Sequence, residues 1–307
     1  MPARCDSSAV KTKVRKKMSD ASPPRKVRLG AHISIAGGTD KAVLTAREVG
    51  CEALQIFVKS SNQWRAADFR AGEPERFRAN LAVAGIDPVV AHDSYLINLC
   101  SPQDSLWSRS LDALLVELDR CETLGVPYLV THPGAHTGAG EAAGLERLAR
   151  ALDRIHAERP RHRVRILLET TAGQGTSVGH RFEHHAEILR QIDDPDRVGV
   201  CLDTCHVFAA GYDLRTERAY RETLDRFAET IGLARLRAIH LNDSKRELGS
   251  RVDRHEQIGK GKLGVEAFRL LLNDATLEGV PMILETPKGP DYAEDRINLA
   301  LLRSLVP

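Results

Sequence analysis

Residues 198–213 read VGVCLDTCHVFAAGYD. An apolar run stops at Asp203, and His206 follows three positions later. Apolar residues without polar alternation are the pattern of a parallel strand covered on both faces. The same construction recurs outward in both directions: VRLGAHIS (27–34), ALQIFV (53–58), PVVAHD (88–93), PYLVTH (127–132), VRILLET (164–170), LRAIHLND (236–243) and PMILET (281–286). Between the runs lie amphipathic helical patterns. In residues 106–125, for example, Leu111, Leu114, Leu115 and Leu118 share one face. Gly50, Gly85, Gly125 and Gly279 follow such patterns as stop signals. Eight strand patterns alternating with helices predict an α/β fold, a single-domain (β/α)8 TIM barrel over residues 28–307. A doubly wound open sheet has the same alternation. The first strand, however, leads into GAHISIAGG (30–38), whose glycines do not have the G-x-G-x-x-G spacing of a dinucleotide site.

The 307 residues carry a net charge of +2, unevenly placed. Residues 1–28 hold nine Lys/Arg against Asp6 and Asp20, so that +7 in this stretch leaves −5 for the rest. Residues 1–27 are therefore read as a basic, disordered extension, either touching nucleic-acid phosphates or simply solvated. No run of about 20 apolar residues suits a membrane span, and the N-terminus has no apolar signal region. The six cysteines are scattered, as free thiols of a cytoplasmic protein would be. Cys201 and Cys205 lack the second pair that zinc-ligand spacing requires.

Chemistry concentrates where the strands end. The third ends at His92, the fourth at His132, the fifth at Glu169, the sixth at Asp203 with His206 beyond, the seventh at His240 and the eighth at Glu285. Asp253 and His255 lie in the loop after the seventh. Singly, each reads as a helix cap or a partner of loop backbone. In a barrel, though, all these ends meet on one rim. Carboxylates crowded there need cations to offset them, and no matching set of Lys or Arg ends the strands. Imidazole and carboxylate without thiolate suit Zn2+, with Mn2+ or Fe2+ as alternatives. Nine ligands exceed the sphere of one ion, whereas three ions sharing a bridging carboxylate would use them all. Glu169, Asp203, Asp253 and Glu285 contribute −4 against +6, a positive centre suited to cleaving a phosphodiester.

AHDSYLINL (91–99), THPGAH (131–136), ETTAGQG (169–175), VGVCLDTCHVFAAGYDLRT (198–216), IHLNDSK (239–245) and GSRVDRHEQIGKG (249–261) closely resemble the endonuclease IV family of apurinic/apyrimidinic (AP) endonucleases. The resemblance runs from Leu29 to Pro307 and implies a TIM barrel with three zinc ions that repairs double-stranded DNA, Mn2+ being the donor set's alternative at one or more sites. It implies that His92 and His132 bind one ion and that Glu169 bridges to a second. Asp203, His240 and Glu285 would complete the second, and His206, Asp253 and His255 would hold the third. The implied reaction is hydrolysis 5′ to an abasic site, leaving a 3′-hydroxyl and a 5′-deoxyribose phosphate, together with removal of 3′ blocking groups. Glu285 is the expected catalytic group beside the attacking water, with Glu169 bridging the ions. Tyr95 and Leu96 resemble a wedge that fills the vacated stack. Lys59, Asn62, Gln63, Trp64 and Arg65 are expected to line the DNA surface, Asn62 standing where many relatives carry arginine. Arg251, Arg254, Lys260 and Lys262 are candidates for phosphate contacts. The competing readings are a single-metal sugar isomerase or epimerase, using only Glu169, Asp203, His240 and Glu285, and a damaged-DNA-binding module without catalysis. A monomer is expected.

Overall fold

The structure is a computed structural model that describes Met1 and residues 27–307. The expected disorder of the basic extension falls on residues outside those described. Eight strands, β1 (Arg28–His32), β2 (Ala53–Phe57), β3 (Val89–His92), β4 (Tyr128–Thr131), β5 (Arg165–Glu169), β6 (Val198–Asp203), β7 (Leu236–Leu241) and β10 (Pro281–Leu284), pair in parallel into a closed barrel. β1 pairs with both β2 and β10, which closes the ring and excludes the open sheet. Helices α1 (Thr39–Val49), α2 (Glu73–Ala84), α3 (Asp104–Leu124), α4 (Glu141–Glu158), α5 (Phe182–Gln191), α6 (Thr204–Ala210), α7 (Glu217–Thr230), α8 (Gly264–Leu272) and α9 (Ala293–Ser304) form the connections. Gly50, Gly85 and Gly125 end α1, α2 and α3 in the left-handed conformation. Gly279, by contrast, follows a single 3-10 turn over Ala275–Leu277 rather than an α-helix. The loop after β7 contains two short strands, β8 (Asp243–Ser244) and β9 (His255–Glu256), paired antiparallel.

The strand period of two decides what faces the barrel axis. Val90, Val130, Leu167, Cys201 and Ala238 form a small interior core. Their neighbours Val89, Leu129, Ile166, Val200 and Ile239 belong to the larger core packed under the helices. Two residues beyond each interior position stand His92, His132, Glu169, Asp203 and His240. These five side chains therefore leave the barrel on its inner face, at the C-terminal rim.

Candidate metal centre

The rim surrounds a cleft of about 730 Å³, lined among others by His32, His92, Tyr95, His132, His206, Asp253, His255 and Glu285. Glu169 is fully buried beneath it. Its Oε2 is 3.1 Å from His92 Nε2 and 3.2 Å from His132 Nε2, and its Oε1 is 3.0 Å from His240 Nδ1. His240 Nδ1 is also 3.1 Å from Glu285 Oε2. Asp253 bridges a third group, with its two oxygens 3.2 Å from His206 Nε2 and from His255 Nε2. The structure thus gathers all nine strand-end and loop candidates. They fall into three sets, His92–His132–Glu169, Glu169–Asp203–His240–Glu285 and His206–Asp253–His255, each with ligand atoms within 4.8 Å of one another.

The imidazoles are oriented from behind. His92 Nδ1 donates to the Asp93 carbonyl at 2.9 Å, His206 Nδ1 to that of Thr170 at 2.8 Å and His255 Nδ1 to that of Glu285 at 3.2 Å. His240 Nε2 donates to Gln55 Oε1 at 2.7 Å. Fixing one ring nitrogen as a donor leaves the other as a lone pair, the arrangement characteristic of metal-binding histidines. Although buried, the Nε2 atoms of His206 and His255 make no hydrogen bond. Asp203 has two roles: Oδ1 caps α6 by accepting from His206 N at 2.8 Å, while Oδ2 accepts from Asn242 Nδ2 at 2.6 Å. The helix-cap reading and the cluster reading of this residue are both met.

Electrostatics points the same way. Burial alone would raise Glu169, yet His240, His132 and His206 hold it well below the usual carboxylate range. Burial is likewise outweighed at Glu285 by His240 and His32, and at Asp253 by His206 and His255. The reciprocal effect pushes His92 up to about 10 against its burial, through Glu169 and Asp93. His255 is pushed up to about 9 against its burial, through Asp203 and Asp253. These carboxylates demand positive charge, and either protons on the rings or cations between them satisfy the demand.

The residues expected on the DNA face are placed less uniformly. Tyr95 projects at the cleft with 70% of its surface exposed, its ring edge-on to Phe57 at 5.5 Å, and Leu96 beside it is half-buried. Asn62, Gln63, Arg65, Arg251 and Arg254 are exposed. Lys59 is not: its ammonium is buried 3.1 Å from Glu117 and donates to the Gln63 carbonyl at 2.6 Å, so its charge is spent inside the loop. Trp64 is partly buried against the helical core, with the Arg109 guanidinium 4.3 Å above its ring. Lys262 pairs with Glu247 at 2.7 Å. The sequence reading missed Gln55, His32, Asn242, Lys288 and Tyr292 around the cleft. Gln55 left a signal, a polar residue inside the apolar run ALQIFV, and so did His32, which ends the first strand as His92 ends the third.

Two further groups of potential ligands are weaker. Cys205 lies near Asp203 and His255, but burial pushes its thiol up to about 12. Glu141, His180 and His184 cluster outside the barrel mouth. There the Arg181 guanidinium sits 2.6 Å from Glu141 and 2.8 Å from His184 Nε2, already neutralising the group.

Comparison with known proteins agrees with this geometry. Residues 43–305 match the xylose isomerase-like TIM barrel family. A Chloroflexus aggregans protein named "Probable endonuclease 4" is 55% identical over 279 residues, covering 91% of this chain and 98% of its own length. A Geobacter sulfurreducens protein of the same name is 51% identical over 278 residues, covering 91% and 94%. The crystal structure of endonuclease IV from Thermus thermophilus superposes with a TM-score of 0.81 at 39% identity, covering 91% of this chain and 98% of that one. With this identity along nearly the whole barrel, the chain belongs to the endonuclease IV family of xylose isomerase-like TIM barrels.

Proposed function

We propose that the protein hydrolyses the phosphodiester 5′ to abasic sites in double-stranded DNA, leaving a 3′-hydroxyl and a 5′-deoxyribose phosphate, and that it also clears blocked 3′ ends. The observation that carries this reading is Glu169, one buried carboxylate whose two oxygens face two different sets of ring nitrogens under an open cleft. The names of the relatives support it.

The donor set fits divalent cations. Imidazole nitrogens and carboxylate oxygens converge without thiolate, and the buried Nε2 atoms of His206 and His255 face the two oxygens of Asp253 without a well-formed hydrogen bond. His92, His132 and Glu169 would hold one Zn2+, Glu169, Asp203, His240 and Glu285 a second, and His206, Asp253 and His255 a third, with Mn2+ able to replace zinc. Bound there, the ions supply Lewis acidity that polarises the phosphodiester and makes water a stronger acid. Glu285 lines the cleft and is placed to orient the attacking water and take its proton. Tyr95 and Leu96 enter the duplex beside the damaged nucleotide, Tyr95 held at its base by Phe57. Arg251 and Arg254 meet backbone phosphates. The protein works as a cytoplasmic monomer.

Incision of a duplex with one abasic site, with end-group analysis of both fragments, tests the reading. Cleavage 5′ to the lesion that stops on chelation and returns with zinc is the expected result. A purified, zinc-loaded chain that binds abasic DNA without cutting it would sustain the binding-module alternative. One bound ion per chain, with activity on ketoses, would sustain the sugar isomerase.

A further inference from the structure

We propose that Gln55 is a positioning residue that decides which atoms of His240 and Glu285 face the metal centre. The inference rests on the reading that those two residues hold a cation. Gln55 is fully buried and does not line the cleft, so it touches no substrate. Its amide makes three contacts: Oε1 is 2.7 Å from His240 Nε2, and Nε2 is 2.6 Å from Glu285 Oε1 and 2.9 Å from His32 Nδ1.

Only one arrangement of hydrogens satisfies all three. Turning the amide over would set its oxygen against the Glu285 carboxylate, two acceptors at hydrogen-bond distance. The carboxylate therefore fixes the amide, and the amide oxygen fixes the His240 proton on Nε2. His240 Nδ1 then presents its lone pair where Glu169 Oε1 and Glu285 Oε2 converge, at 3.0 and 3.1 Å. Glu285 is held through Oε1, which leaves Oε2 for the centre. His92, His206 and His255 are each oriented by a backbone carbonyl that no substitution removes. His240 depends on a side chain, and that side chain also positions Glu285.

Replacing Gln55 by Met keeps the length and removes all three contacts. Zinc-loaded wild type and Gln55→Met are compared by titration with a chromophoric chelator, without DNA. The expected result is that one class of zinc is lost about 10–100-fold more readily, while the remaining zinc is retained as in wild type. On abasic duplex, kcat should fall with KM unchanged. Wild-type zinc retention in Gln55→Met overturns the proposal, even if the metal-free variant melts lower, because a merely structural glutamine would behave in that way. Should Gln55→Met fail to fold, Gln55→Asn, one methylene short, is read by the same titration with the same two outcomes. Because the titration uses no DNA, a wild type that binds zinc but leaves abasic duplex intact sinks the repair reading alone. A wild type that binds no zinc sinks both.

Discussion

Glu285 and Gln55 show how far single residues could be read. Glu285 announced itself as a charge at the end of the apolar run PMILET, and its side chain lines the cleft beside His240. Gln55 looked like a polar blemish in ALQIFV, because its partners lie on strands far away in sequence. Lys59 and Trp64 stand in a motif expected to face DNA. Residue type alone could not reveal that Glu117 draws the lysine inward or that Arg109 stacks on the tryptophan. At this scale, Glu285→Gln tests the proton-taking role. Loss of a general base lowers kcat on abasic duplex by about 10²–10⁴-fold, with zinc content kept above half of wild type. A variant that cuts at the wild-type rate would remove Glu285 from that role.

Among the elements, the barrel strands were legible because burial on both faces forces uninterrupted apolar runs. The β8–β9 ribbon was not, since two-residue strands leave no periodicity to read. What organises that loop is Asp243, whose carboxylate accepts from the backbone N–H groups of Ser244, Gly259, Gly261 and Leu263 at 2.7–3.0 Å. A side chain at Gly261 would collide with that same carboxylate and with the Ser244 carbonyl, so glycine is required for the close approach. The loop so clamped carries Asp253 and His255. Asp243→Ala should destabilise the fold by about 1.5–3 kcal/mol, the range for a hydrogen bond to a charged group. It should also speed amide exchange across residues 244–264 and weaken retention of the cation proposed for His206, Asp253 and His255. Unchanged exchange in the loop would show that the clamp is dispensable.

For the molecule as a whole, the proposed centre sets metal and protons in competition for the same rings. In the metal-free protein His92 and His255 stand at about 10 and about 9 because nearby carboxylates outweigh their burial. Both lie above the unfolded value of about 6.5. Their stabilising contribution is therefore complete below that value and lost as pH rises through 9–10. His156 and His185 behave oppositely: burial lowers each to about 4, so their contribution is complete above 6.5 and lost as pH falls toward 4. Melting curves of chelated protein should thus fall on both sides of neutrality. Zinc-loaded protein should fall more steeply on the acid side, where protons displace metal from the rings, and stay flat between pH 7 and 9, where the ligating nitrogens hold no proton to lose. Parallel curves for the two forms would contradict the assignment of those rings to metal. Strand count and helix alternation pointed to a barrel but are shared with an open sheet, and closure itself lies in the pairing of β1 with β10. The basic extension, outside the described residues, was readable only as composition.

The seam between β1 and β10 joins the beginning of the barrel to its end. Glu285 follows directly on β10, whereas His92 and His132 are supplied by its first half. A nascent chain still on the ribosome, or one clipped ahead of residue 281, owns most of the dangerous chemistry but lacks the last carboxylate and the strand that closes the ring. Closure of the ring and completion of the candidate centre therefore depend on the same final strand.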